Sequence, residues 1–246
     1  MPACPHRWRS WPRALLRALL PSACALCGAA GTDAVCAGCE RAYVGARPRC
    51  PCCANPVGPL DAGRRCGACL AAPPAFDATV AACDYAAPLD GLVLQLKFGA
   101  RLALAPWMAR VLRDSALGAP GLALPELLCP VPLGARRLAE RGYNQALEVA
   151  RPLGAVLGIA LAPRLALRVL ETQAQSGIAP GARRNNVRGA FALAPGACER
   201  VRGRHVGVVD DVMTSGHTLD ALAAVFKKAG AARVTNIVFA RTPPHA

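Results

Sequence analysis

Beyond residue 77 the chain alternates short runs of adjacent apolar residues with longer stretches in which apolar positions recur every three or four residues. The short runs predict strands at 79–85 (TVAACDY), 127–131 (LLCPV), 165–170 (LALRVL), 187–193 (VRGAFAL), 205–210 (HVGVVD) and 233–240 (RVTNIVFA). The longer stretches predict helices at 88–98, 102–117, 143–158 and 216–229. Strands that are apolar at successive positions are covered on both faces, and strands alternating with helices build an α/β domain around a mainly parallel sheet. Residues 171–186 (ETQAQSGIAPGARRNN) carry no periodicity and are expected to form a mobile loop. No internal repeat stands out beyond an alanine bias.

Upstream of residue 77 this pattern dissolves. The segment "LAAPPAF" (70–76) is a proline-bearing connection and the expected domain boundary. The plan is therefore a basic N-terminal tail with a short amphipathic helix at Pro12 to Leu20 (1–22), a small cysteine-rich module (23–70) and an α/β domain (77–246). The small module has too few large apolar residues to make its own core. It does contain four Cys-x-x-Cys pairs, Cys24/Cys27, Cys36/Cys39, Cys50/Cys53 and Cys66/Cys69, out of 13 cysteines in the chain. Each pair turns two thiolates toward one metal, and two pairs complete a tetrahedral site. Two structural Zn²⁺ ions in a double ribbon are expected, because binding worth roughly 10–16 kcal/mol per site supplies what a core cannot. Sequential pairing of the knuckles is the simpler arrangement, and a cross-braced one is the alternative. Four cysteines per ion leave no open coordination position, so these metals have no catalytic role. A disulfide framework needs an oxidising compartment, and a thioredoxin-like pair needs one motif beside a βαβ unit, not four in tandem.

Charge adds a second feature. The 29 basic residues exceed the 15 acidic ones to give +14, and only Lys97, Lys227 and Lys228 are lysines. An arginine excess suits bidentate binding of phosphate, in nucleic acid or in a small phosphorylated ligand, although a genome-wide arginine and alanine bias explains it equally well. No apolar run reaches the ~18 residues of a membrane helix. Arg17 interrupts the N-terminal apolar stretch, and proline replaces the aliphatic residue of a lipoprotein cleavage box at Pro21-Ser22-Ala23-Cys24, so a cytoplasmic protein is expected.

The most informative stretch is "HVGVVDDVMTSGHTLDALAAVFKKAGA" (205–231). An apolar strand places Asp210 and Asp211 at its carboxyl end, where open α/β sheets bind ligands. Adjacent carboxylates repel unless a cation or ligand hydroxyls take up the charge. Thr214, Ser215, Gly216, His217 and Thr218 then lead into a helix, so that hydroxyls, backbone N–H groups and the helix dipole converge on one anion. Together the two parts suit a ribose 5-phosphate, with the carboxylates on the ribose hydroxyls and the turn on the phosphate. The competing reading makes the aspartates helix caps and the turn merely Ser/Thr-rich. No lysine follows a glycine, which excludes a P-loop ATPase.

"VVDDVMTSGHTL" resembles the phosphoribosyl-pyrophosphate (PRPP) loop of type I phosphoribosyltransferases. The four knuckles followed by "LVLQLKFGA" (92–100), "PVPLGARRLAERGYNQA" (130–146), "TQAQSG" (172–177) and "RRNNVRGAF" (183–191) are similar, in that order, to the ComF family. The resemblance spans about residues 10 to 242, and the family is related to amidophosphoribosyltransferases and linked to DNA uptake in competence. It implies a type I phosphoribosyltransferase fold and a PRPP ligand carried with Mg²⁺. It further implies a pyrophosphate loop at Pro132 and Leu133 with Arg136, Arg137 and Arg141, and a closing loop with Thr172, Gln175 and Arg183. Ser215 and His217 depart from the family loop, where threonine and alanine are more usual. Tyr143 reads equally as ligand contact or packing, and Lys97 as surface charge or phosphate contact. Transfer of a phosphoribosyl group, with Asp210 and Asp211 catalytic, is one expectation. A non-catalytic accessory factor that binds single-stranded DNA or a helicase and senses PRPP is another, and a zinc-ribbon regulator is a third. A homodimer is compatible with each.

Overall fold

The computed structural model describes residues 22–45, 47–170 and 189–243. The amphipathic helix expected at Pro12 to Leu20 and the loop at 171–186, with Thr172, Gln175 and Arg183, lie outside them.

Five strands form one sheet: β3 (Ala78–Asp84), β4 (Leu127–Pro130), β5 (Ala160–Leu161), β8 (His205–Met213) and β9 (Arg233–Arg241). Their order is β3-β9-β8-β4-β5, and every neighbouring pair is parallel. Alternation along the strands divides the core in two. Val206, Val208, Val234 and Val238 face one side with Leu222 and Phe226, whereas Val209, Ile237 and Phe239 face the other with Leu96, Met108 and Leu153. Helices α3 (Leu89–Phe98), α4 (Leu104–Leu117) and α6 (Gln145–Leu157) cover the second side, and α8 (His217–Lys228) the first, where the short α7 (Cys198–Val201) adds Val201. Gly207 sits where a Cβ would come within 2.6 Å of Pro125 and 2.7 Å of Leu128, so only glycine lets the central strand pack this closely.

Several sequence expectations need correction. Among the described residues, the segments 165–170 and 187–193 supply β6 (Ala166–Arg168) and β7 (Phe191–Leu193), which pair antiparallel apart from the main sheet. Their apolar character is misleading because Leu167, Val169 and Leu170 are exposed. The 205–210 strand runs on to Met213, since Val212 and Met213 pair with Ala240 and Arg241. Residues 135–141 form a helix, α5 (Ala135–Arg141), which buries no residue and so leaves no apolar periodicity to detect.

An internal repeat, absent from the sequence reading, appears in the cysteine-rich module. Beside the small antiparallel pair β1 (Ser22–Ala23) and β2 (Ala30–Gly31), Cys24, Cys27, Cys36 and Cys39 gather into one cluster, and Cys50, Cys53, Cys66 and Cys69 gather into a second. Within each cluster the Sγ atoms lie within 4.8 Å of one another, which is the sequential pairing and a fit to tetrahedral zinc. In both clusters the third cysteine is the N-cap of a short helix, α1 (Ala37–Tyr43) after Cys36 and α2 (Gly67–Ala71) after Cys66. Its N–H donates to the first cysteine's Sγ, at 3.3 Å to Cys24 and 3.2 Å to Cys50. Burial pushes the Cys24 thiol up, but the N–H groups of Cys27, Cys36 and Leu26 outweigh it and bring the thiol down to about 6, favouring the thiolate. Each first knuckle ends in a left-handed residue, Gly28 at φ 74° and Ala54 at φ 55°.

The module packs on the α/β domain. Glu40 on α1 accepts from the Trp107 indole N–H at 2.7 Å and from Arg110 at 2.9 Å on α4. Arg49 and Arg47 pair with Asp84 at the end of β3 at 2.8 and 2.9 Å.

Metal analysis of the purified chain is expected to find two zinc ions, one per cluster, and Cys27→Ser or Cys53→Ser to lower the count to about one; a folded, metal-free protein would contradict the ribbon assignment. Ala54→Gly removes a left-handed alanine from the second ribbon, a strain of roughly 1–2 kcal/mol. It should slow zinc loss to a chelator and raise the melting temperature.

Candidate functional site

The site is built on β8. Its last third carries Asp210 and Asp211, nearly buried at 9% and 2% exposure. Adjacent residues on a strand point to opposite faces, and Asp211 meets Lys97 of α3, whose Nζ lies 2.7 Å from Oδ2. Lys97 is thus no plain surface charge: it pairs with Asp211 on the wall of the cleft. The N–H of Asp211 donates to Asp210 Oδ1 at 2.9 Å. Burial, and then the charge of Asp211, push the Asp210 carboxyl well above the usual carboxylate range.

A cleft of about 730 Å³ opens over this pair, a volume typical of small-ligand sites. Thr214 and Thr218 line one part of it, and Pro132, Leu133, Arg137 and Arg141 another. The structure therefore brings together both aspartates, both threonines and Pro132, Leu133, Arg137 and Arg141, whereas Arg136, also expected there, does not line the cleft and pairs with Glu140 at 3.9 Å. Helix α8 starts at an N-cap, Gly216, in the left-handed conformation at φ 82°, with no side-chain cap. The aspartates therefore do not cap the helix. Its first-turn N–H groups have no carbonyl partner within the helix and can serve an anion.

The turn separates two cavities. Ser215, Gly216 and His217 line a second space of about 550 Å³, on the side of the second cysteine cluster, and Ser215 Oγ lies 3.1 Å from His217 Nδ1. The two departures from the family loop therefore have their side chains away from the aspartates.

Secondary contacts hold the cleft walls. Asn144, the N-cap of α6, accepts from the Ala146 N–H at 3.0 Å and donates through Nδ2 to the Val131 carbonyl at 3.0 Å. The Tyr143 hydroxyl donates to the Leu96 carbonyl, which ties α6 to the turn of α3 that carries Lys97 and gives Tyr143 a packing role at the cleft edge. Arg141 donates to Gln145 Oε1 and stacks over the Phe98 ring at 5.2 Å. Tyr85, Phe98 and Arg168 also line the cleft and were not singled out by sequence. Arg168 escaped because its segment read as one more core strand, and Phe98 because it read as the last apolar position of α3, although it is 74% exposed.

The described residues contain no helix long and apolar enough to cross a membrane. Residues 15–70 match the double zinc ribbon domain family, and residues 149–245 match the phosphoribosyl transferase domain family. The chain is 36% identical over 229 residues to the DNA utilization protein YhgH of Salmonella typhi, covering 91% of this chain and 98% of that one. It is 34% identical to YhgH of Escherichia coli K12 with the same coverage, and 34% identical over 202 residues to competence protein F of Haemophilus influenzae, covering 80% and 86%. A solved allosteric regulatory enzyme of purine biosynthesis aligns at 18% identity and a TM-score of 0.34, over 55% of this chain and 26% of that one. The chain belongs to the ComF family, that of YhgH and competence protein F, and joins a double zinc ribbon to a parallel-sheet α/β domain of the phosphoribosyltransferase type.

Proposed function

We propose that the cleft binds PRPP, with its Mg²⁺, and transfers the phosphoribosyl group to an acceptor. The carrying observation is one continuous cleft that holds Asp210 and Asp211 between a hydroxyl-bearing turn and a pair of arginines. In this reading the 5′-phosphate sits on the Thr214 and Thr218 hydroxyls and on backbone N–H groups of the turn Thr214, Ser215, Gly216, His217 and Thr218, with the Ser215 and His217 side chains turned to the second space. Asp210 and Asp211 accept from the ribose hydroxyls and favour the positive charge that develops on the sugar as its bond to pyrophosphate breaks. Arg137 and Arg141 receive the departing diphosphate. Mg²⁺ enters as part of the substrate and neutralises the diphosphate. Thr172, Gln175 and Arg183 belong to the segment proposed to close over the cleft. Lys97, 2.7 Å from Asp211, supplies a countercharge on the cleft wall.

The relatives YhgH and competence protein F are named for DNA utilization and competence. On that basis we place this chain in the cytoplasmic handling of DNA, with single-stranded DNA or a helicase as partner. The strong arginine excess supports a nucleic-acid surface, whose binding would fall steeply with salt. A non-catalytic version, in which the cleft senses PRPP, uses the same residues and differs only in releasing no pyrophosphate.

Calorimetric titration with Mg²⁺ and PRPP should show one site, and Asp211→Ala should weaken it by at least ~10-fold, which is about 1.4 kcal/mol. Absence of binding at millimolar PRPP would overturn the reading.

Asp210 supplies a pH test. Its folded carboxyl titrates well above its unfolded value, so the folded state holds more protons in that window and stability falls as pH rises through it. Asp210→Asn keeps an oxygen for the Asp211 N–H and removes the buried charge. The variant should melt about 2–4 °C higher near neutral pH, the shift expected for ~1 kcal/mol, with the gain shrinking as pH falls toward the range of an unfolded carboxylate. It should also bind PRPP more weakly. A gain equal at all pH values would contradict the raised carboxyl.

A further inference from the structure

The second cysteine cluster and the phosphate turn share one side chain. Arg241 is the last residue of β9, is only 6% exposed and pairs in register with Met213. Its Nε donates to the carbonyl of Cys53, a member of the second cluster, at 2.9 Å. Its Nη1 donates to the carbonyl of Met213 at 3.0 Å and to that of Thr214, the first residue of the turn. One guanidinium fork thus grips the backbone of a metal-ligand knuckle and the backbone that ends the aspartate strand. A second strap runs beside it, where the Ala75 N–H, just after α2, donates to Asp220 Oδ1 in the first turn of α8 at 2.7 Å. Between them lies the second cavity, bounded by Cys53, Cys69, Ser215, His217, Asp220 and Arg241.

Among the described residues Arg241 donates to backbone carbonyls and to no carboxylate. A zinc ion on four thiolates carries a net negative charge, and such a centre beside the guanidinium supplies the countercharge that the carbonyls lack. The second ribbon therefore holds Arg241 best when its metal is in place, and Arg241 in turn fixes Met213 and Thr214.

We propose that Arg241 is a positioning residue for the phosphate turn, through which zinc in the second ribbon and a phosphoribosyl ligand in the cleft stabilise each other. The inference rests on the reading that the turn holds the 5′-phosphate. Coupling between two sites is reciprocal, so it can be read from either end without any measurement of transfer. Among the described residues the first ribbon makes no such link; its cluster packs instead against α4 and the opposite side of the sheet.

The test follows chelator-driven zinc release from the full-length protein, with and without Mg²⁺ and PRPP, beside calorimetry of PRPP binding. In the wild type, PRPP should slow release of one of the two ions by roughly 5-fold or more and leave the other unchanged. Arg241→Met should still bind two ions but lose that protection and weaken PRPP by roughly 5- to 10-fold. Equal release rates with and without PRPP in a wild type that binds PRPP overturn the coupling and leave the cleft assignment standing. Failure of the wild type to bind PRPP overturns both. Unchanged PRPP affinity in a folded Arg241→Met also overturns the coupling. The wild-type release experiment decides the matter even if that variant does not fold.

Discussion

Two carboxylates held next to each other at the end of a buried central strand are the constraint around which this chain is arranged. Neither Asp210 nor Asp211 helps the strand to form, and burying such a pair costs several kcal/mol unless charge is met. The protein meets part of that charge with Lys97 and leaves Asp210 with a raised carboxyl. Lys97 in turn depends on α3, and α3 is tied at Leu96 to Tyr143 and so to the start of α6. Asn144 then anchors the 130–141 segment by its bond to Val131. A set of neutral and charged contacts therefore runs from the aspartates to each wall of the cleft.

The double ribbon is better described as a buttress than as an appendage. Its cysteines belong to both halves of the core, the first cluster with α4 and the second with α8. Salt bridges from Arg47 and Arg49 to Asp84 and the Glu40–Trp107 bond fix its orientation on the domain. Metal binding therefore supports the large domain as well as the small one, and at Arg241 this support reaches the turn that follows Asp211.

Much of this was legible in the sequence where the signal is local. The apolar runs gave β3, β4, β8 and β9, the knuckle spacing gave the cysteine clusters, and the strand-aspartate-turn order located the cleft. Signals that depend on partners distant in sequence were not legible. Leu167, Val169 and Leu170 read as core yet are exposed, because whether a short apolar run is covered depends on which strand it finds. Helix α5 buries nothing and has no periodicity to read. Lys97, open between surface charge and phosphate contact in the sequence, finds its partner Asp211 only once α3 is packed against β8. Arg241 ends an apolar strand, an unusual place for a charge, but its purpose appears only when β8 and the second ribbon stand on either side of it.

The central claim is that one ligand bridges the whole cleft, with its sugar on the aspartates, its 5′-phosphate on the turn and its diphosphate on Arg137 and Arg141. Phosphorus NMR of PRPP titrated with the protein in Mg²⁺ reads both ends at once. The account predicts that the 5′-phosphate and diphosphate resonances shift or broaden together along a single binding curve. Movement of the diphosphate alone, with the 5′-phosphate signal unchanged, would contradict it.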